Sequence, residues 1–169
     1  GLCFLPVAHI ESSYGVVGCA YEYMNWQYVA LDVQNAYMPD GLICHEIWHS
    51  TENEILSHDY SAFAPEKWDV LNPEGFVYGD DPSQYDSGDL RWTLYSSGGE
   101  GVYFVDGYGR SEAREDRARI MEYFMAHEDE AAMLIQSPHI RAKLELMCRA
   151  VRETFDTTGW GTPRWENLL

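Results

Sequence analysis

Residues 44–49 read Cys44-His45-Glu46-Ile47-Trp48-His49, and within them His45, Glu46 and His49 form an H-E-x-x-H pattern. On a helix, residues four apart lie on one face, one turn above the other. Two neutral imidazoles at that spacing can each give one ring nitrogen to a single zinc ion. Glu46 follows the first of them, close enough to serve a water at the metal without occupying the metal itself. That is the position a general base requires. The pattern predicts hydrolytic zinc chemistry on peptide bonds. The plain alternative is an amphipathic helix with two surface histidines. The flanks favour the zinc reading. Pro39-Asp40-Gly41 is a turn with an N-cap at Asp40, and Leu42, Ile43, Ile47, Trp48, Ile55 and Leu56 give the helix an apolar surface to pack. A metal helix is therefore expected over residues 41–56.

Upstream, Gln27 to Val33 is rich in β-branched and aromatic residues and reads as the best strand of the chain. Val29, Leu31 and Val33 would face one side of it, and Tyr28, Ala30 and Asp32 the other. A strand directly before a zinc helix can pair its edge with an extended peptide substrate; the alternative is an interior strand already paired on both sides. Phe4-Leu5 and Val16-Val17 suggest two further short strands, and Tyr21 to Trp26 reads as an aromatic loop.

Downstream, residues 57–110 are crowded with turn signals, with brief strands expected at Phe76-Val77-Tyr78 and Val102-Tyr103-Phe104-Val105. Asp80, Asp81, Asp86 and Asp89 offer oxygen ligands for calcium but lack EF-hand spacing, which favours a solvated loop. Residues 111–128 read as a helix with Ser111 as N-cap and Ala118, Met121, Phe124 and Met125 as its apolar stripe. Residues 138–155 read as another, capped by Ser137, with Ile140, Leu144, Met147, Val151 and Phe155 at helical spacing.

A catalytic zinc takes three protein ligands. Position 55 is Ile, so a third histidine in the extended H-E-x-x-H-x-x-G-x-x-H pattern is excluded. The remaining ligand is expected from a carboxylate on a later helix, where Glu112 and Glu115 lie three apart on nearly one face. Both are candidates; either can instead be a first-turn acid serving the helix dipole. Glu52, one turn after His49, is a candidate for orienting a ligand from behind, or a plain surface acid. His9, His58, His127 and His139 have no partner at ligand spacing and read as ordinary histidines, with His58 near enough to the metal helix to meet substrate.

His45-Glu46-Ile47-Trp48-His49, followed far downstream by Glu115-Asp116-Arg117-Ala118, resembles the gluzincin metallopeptidases. More narrowly, it is similar to bacterial zinc metallopeptidases that pair H-E-x-x-H with an E-D-x-A helix. The stretch Trp68 to Tyr78 (W-x-x-L-N-P-x-G-F-x-Y), the segment Phe63 to Trp68 and the last helix with Lys143 and Phe155 look like the same group. The resemblance runs from about Val29 onward. It implies a zincin-like α+β fold: a small mixed sheet, a metal-binding helix and two C-terminal helices. It implies Zn2+ as cofactor, His45, His49 and Glu115 as its ligands, Glu46 as general base, and Ala118 as a small residue where helices pack closely. Tyr108 stands seven residues before Glu115, the offset at which the lethal-factor branch carries a tyrosine that stabilises the oxyanion. Glu112 stays open on one count. Thermolysin-type enzymes carry an acid four residues after the ligand; Glu112 has Asp116 there, and Glu115 has Arg119.

The bulk composition sets outer limits. A chain of 169 residues with 46% hydrophobic and 14% aromatic residues suits one domain, 1–169, with a packed core. A net charge of -17 argues against nucleic acid as a partner. A peptide or protein substrate is the partner expected. No apolar run reaches the length of a membrane-spanning helix. The chain opens at Gly1 as a trimmed mature domain would, and a secreted or cell-surface location is expected. Cys3, Cys19, Cys44 and Cys148 lack C-x-x-C spacing; they are either disulfides, with Cys3–Cys19 the nearest pair in sequence, or buried thiols. Two other functions fit the residues. One is a non-catalytic zinc-binding module using Tyr78, Tyr85, Trp92, Tyr95 and Tyr103 as a partner surface. The other is a zinc amidase acting on a cell-wall crosslink.

Overall fold

The computed structural model describes residues 1–7, 10, 17–34, 40–79, 88–96 and 99–169. Those residues form an α+β structure with one three-stranded sheet and five α-helices. The strands are β1 (Leu2–Val7), β2 (Gly18–Tyr23) and β3 (Trp26–Asp32). The helices are α1 (Asp40–His58), α2 (Pro65–Trp68), α3 (Ala113–Ala126), α4 (Glu128–Leu134) and α5 (Pro138–Thr154).

The sheet is mixed, in the order β1-β3-β2. β1 runs parallel to β3, from Leu2 opposite Gln27 to Val7 opposite Asp32. β2 runs antiparallel to it, from Gly18 opposite Leu31 to Tyr23 opposite Trp26. The strand expected at Gln27–Val33 is thus the central one. Both its edges are paired, so it has no edge to offer a peptide, and the substrate-edge reading of this strand is corrected. The aromatic loop expected at Tyr21–Trp26 is a tight hairpin. Met24 and Asn25 make its turn with φ of 51° and 62°, the left-handed pair that a two-residue hairpin demands. The usual Asn-Gly signal is missing, and Met at the first turn position disguised it.

The remaining early expectations divide. Phe4-Leu5 lies within β1. Val17 stands just before β2, and Val16 falls outside the described residues. Cys3 and Cys19 flank β3 on opposite sides, two strand spacings or roughly 10 Å apart, which is beyond disulfide reach. All four cysteines are free thiols, and of these only Cys148 is buried.

The described residues between 57 and 110 hold less strand than expected. Phe76 to Tyr78 form none, and Val102 to Val105 contribute one isolated bridge, Phe104 to Thr93. Their apolar side chains join the core instead: Tyr78, Val102, Phe104 and Val105 are buried against Trp68 and the helices. The C-terminal part holds three helices, not two. α4 follows α3 directly after His127, whose φ of -123° and ψ of 79° break the helix; no Gly or Pro marks that break in the sequence.

α1 packs chiefly on α3, and both pack on α5. Ile55, Ala118, Ile120, Ile140, Leu144 and Met147 are fully buried between them, each large side chain contributing about 1.5–3 kcal/mol of transfer free energy. Close approach rests on small residues. A Cβ on Gly41 would stand 2.9 Å from the Glu122 carboxylate of α3, and Ala118 of α3 is fully buried. α5 begins as its sequence predicts, with the Ser137 hydroxyl accepting from His139 N and Ile140 N. Among the described residues no helix is long and apolar enough to cross a membrane.

Candidate metal centre

His45 and His49 project from α1 at i and i+4 toward the first turn of α3, which brings Glu115 to them across 70 residues of sequence. His45 Nε2 lies 3.1 Å from Glu115 Oε2 and 3.2 Å from His49 Nε2. His49 Nε2 lies 3.5 Å from Glu115 Oε1. Two nitrogens and one carboxylate thus converge within 4.8 Å of one another, and they can hold a metal ion. Ligand atoms about 2.0–2.1 Å from a tetrahedral zinc stand roughly 3.3 Å apart, and the donor set is one that zinc takes. The residues therefore fit the group by spacing and by chemistry.

Glu112 is not in this cluster. It is the N-cap residue of α3, and its carbonyl accepts from Asp116 N at 3.0 Å. Asp116, the acid whose spacing kept Glu112 open, points away from the histidines into a buried pair with Lys143 at 2.7 Å.

The carboxylate behind the first histidine is Glu122, which sequence reasoning did not single out. Its Oε2 lies 3.2 Å from His45 Nδ1. With that carboxylate accepting the Nδ1 proton, Nε2 is left free to bind a metal. Glu122 is itself paired to Arg119, and Arg119 Nε donates to Asp106 Oδ2 at 3.1 Å. Asp106 Oδ1 in turn accepts from Gly109 N at 3.1 Å, beside Tyr108. Arg119, the residue that departs from the thermolysin pattern, links Glu122 to the Tyr108 turn. A signal was present: Glu122 lies seven residues after Glu115, two helical turns along the same face of α3. His49 Nδ1 is buried and has no partner among the described residues.

Glu52 does not orient a ligand. It is fully buried and accepts from Arg117 Nε at 2.9 Å, Arg117 Nη2 at 2.8 Å and Trp48 Nε1 at 3.1 Å. Its work is to join α1 to α3, one turn beyond the histidines.

Glu46 is buried beside the cluster, under β2. A Cβ on Gly18 would stand 2.8 Å from its Oε1, so only a glycine leaves that carboxylate its place. Burial pushes the Glu46 carboxyl above its ordinary range, partly offset by His45 and His49. Tyr108 opens a short 3-10 turn, Tyr108–Arg110, and its ring centroid lies 6.2 Å from that of His45. Burial, and then the Glu115 carboxylate to which its hydroxyl is hydrogen-bonded, hold the Tyr108 phenol well above its usual value.

Without a metal the cluster is a proton-sharing network. Burial pulls His45 down, but hydrogen bonds to Glu115 and Glu122 outweigh it and raise the imidazole to about 9. Burial pushes Glu115 up, but both histidines outweigh it and hold the carboxylate well below its normal range. Zinc binding at neutral pH must then displace the His45 proton. Below pH 9 that proton competes with the metal, and above it does not. Zinc affinity is expected to rise about tenfold per pH unit from 6.5 toward 9 and then level off. Competition with a chromophoric chelator across that range measures it; a flat profile between 7 and 9 contradicts it. Glu122→Gln is expected to weaken zinc binding by about tenfold or more while the fold survives, read by the same competition and by circular dichroism. Unchanged affinity would remove Glu122 from the site.

The other expected residues lie elsewhere. His58 pairs with Glu54 on the surface at 3.2 Å. His127 stacks on Tyr123 and His139 on Tyr103. His9, Asp80, Asp81, Tyr85 and Asp86 lie outside the described residues. Asp89 pairs with Arg91 and Arg110. The aromatic partner surface is corrected: Tyr78 is buried, Trp92 packs on Phe76 between Arg91 and Arg110, and Tyr103 stacks on His139. Of the described members of that set, only Tyr95 is exposed. An apolar cavity of about 220 Å³, lined by Cys44, Trp48, Met121, Phe155 and Trp165 among others, includes none of the cluster residues.

Comparison with protein-family models, with curated proteins and with solved structures finds no match to this chain.

Proposed function

We propose that this chain is a zinc-dependent metallopeptidase with a zincin-like arrangement, holding Zn2+ through His45, His49 and Glu115. The observation that carries the reading is the convergence of those three donors at 3.1–3.5 Å beside the buried carboxylate of Glu46. Zinc in such a site supplies Lewis acidity toward a carbonyl and toward water. Glu46 takes the proton of the attacking water and passes it to the leaving amine. A carboxylate beside the donors but not among them suits that double role, since it can take the proton and return it without taking a donor from the metal. The Tyr108 phenol, neutral at working pH, gives its hydrogen bond to the carbonyl oxygen as negative charge develops there. Glu122 keeps the His45 ring in the orientation and tautomer that binding needs.

The β2 strand, antiparallel to β3 and lying over Glu46, borders the site. A peptide or protein is the substrate class, and a secreted or cell-surface setting is the one proposed. The test is a panel of internally quenched peptides with the zinc-loaded protein, beside amide crosslinks of the cell-wall type. Cleavage of peptides supports the reading. Cleavage of crosslinks alone replaces it with the amidase. No cleavage despite stoichiometric zinc replaces it with the non-catalytic module.

A further inference from the structure

Glu115 sits in the first turn of α3, the least supported place on a helix. The first backbone donors of a helix have no partner within it, and the N-cap residue here, Glu112, makes no side-chain capping bond. The next residue supplies a different anchor. Asp116 Oδ2 accepts from Lys143 Nζ of α5 at 2.7 Å and from the Tyr78 hydroxyl at 2.6 Å. Lys143 Nζ also donates to Tyr103 O at 2.8 Å and stands 4.2 Å from the centre of the Phe104 ring. Trp68 Nε1 donates to the Tyr78 oxygen at 2.9 Å. Asp116, Lys143, Trp68 and Phe104 are all fully buried.

A fully buried ion pair is a poor source of stability, because desolvating both charges offsets most of their attraction. What it does supply is a fixed position. The segment Trp68 to Tyr78 and the helix α5 meet at one carboxylate, adjacent in sequence to the third donor of the metal cluster. From this geometry we propose that Lys143, acting through Asp116 together with Tyr78, is a positioning residue for Glu115. It locks the first turn of α3 so that the Glu115 carboxylate stands at the two histidines. The inference rests on the reading of the cluster as a zinc site.

The test compares the wild type with Lys143→Met, Tyr78→Phe and Leu144→Val, the last a control in the same core with no polar contact to α3. Each is assayed where circular dichroism shows it folded. Zinc affinity is read by chelator competition, and ligand geometry by the visible absorption of the cobalt-substituted protein. Lys143→Met is expected to lose about tenfold or more in affinity and to alter the cobalt spectrum. Tyr78→Phe, which removes one hydroxyl, should change both in the same direction by less. Leu144→Val should lower the melting temperature and leave both unchanged. If Lys143→Met does not fold, Tyr78→Phe decides. Wild-type zinc binding retained in Lys143→Met and Tyr78→Phe overturns the inference, as does an equal loss in Leu144→Val. A wild type that takes up no zinc overturns the metal reading itself, and this inference with it.

Discussion

Glu46→Gln is expected to keep stoichiometric zinc and lose turnover by about a hundredfold to ten-thousandfold, the usual worth of a positioned general base. The substitution is nearly isosteric, so the room left by Gly18 still accommodates the side chain. Glu46 is not among the three donors, so the metal has no reason to leave. What goes is the carboxylate proposed to accept the water proton and return it to the amine. Steady-state cleavage of the best peptide from the panel, with zinc content measured on the same sample, reads both quantities. Zinc retained with turnover near the wild-type rate would remove Glu46 as the base. Zinc lost along with turnover would mean that Glu46 helps to hold the ion, contrary to the geometry.

Arg117→Met is expected to be strongly destabilising. Arg117 meets Glu52 through two donors, and it lies over the rings of Phe63 and Trp68 at 4.7 and 4.9 Å. Removing one partner of a buried pair costs about 3–5 kcal/mol, and the low end, about 3 kcal/mol, is expected here because Glu52 keeps Trp48 Nε1 at 3.1 Å and Arg114 Nε at 3.5 Å. For a chain of this size that lowers the melting temperature by roughly 10 °C. Adding Glu52→Leu should recover much of the loss, since an apolar pair of similar volume avoids the stranded charge. Thermal unfolding followed by circular dichroism reads the series. A loss under about 1 kcal/mol, as for an exposed pair, would show that Glu52 and Arg117 are solvated in solution.

The elements with strong local signals were legible in the sequence. The helix expected at 41–56 is Asp40–His58, that expected at 111–128 is Ala113–Ala126, and that expected at 138–155 is Pro138–Thr154. Their apolar stripes repeat at helical spacing, and α5 has its serine cap. The Gln27–Val33 strand was legible for its β-branched and aromatic content. Its place at the centre of the sheet was not, because strand order depends on pairing partners that no local pattern encodes. The hairpin at Met24-Asn25 was missed because a two-residue turn without glycine carries no strong signal. α4 was missed because nothing but an unusual backbone at His127 separates it from α3.

The site was partly legible in the same sense. His45, Glu46 and His49 share one helical turn, and their spacing alone predicts their common face. Spacing left Glu115 and Glu112 in balance, and the resemblance favoured Glu115. Their separation in space follows from where α3 starts: Glu112 is spent on the helix end, whereas Glu115 faces α1. Glu122 and His45 are 77 residues apart, and only the packing of α3 on α1 makes them partners. Glu52 was misread because its spacing after His49 suits a supporting acid equally well; the deciding fact is Arg117, on another helix.

The central claim is that His45, His49 and Glu115 hold zinc, and its most direct test is the metal content of the purified protein beside Glu115→Ala and Glu112→Ala. The proposed reading predicts one zinc per chain in the wild type and in Glu112→Ala, with the metal lost in Glu115→Ala. No zinc in the wild type after reconstitution, or loss only with Glu112→Ala, would contradict it.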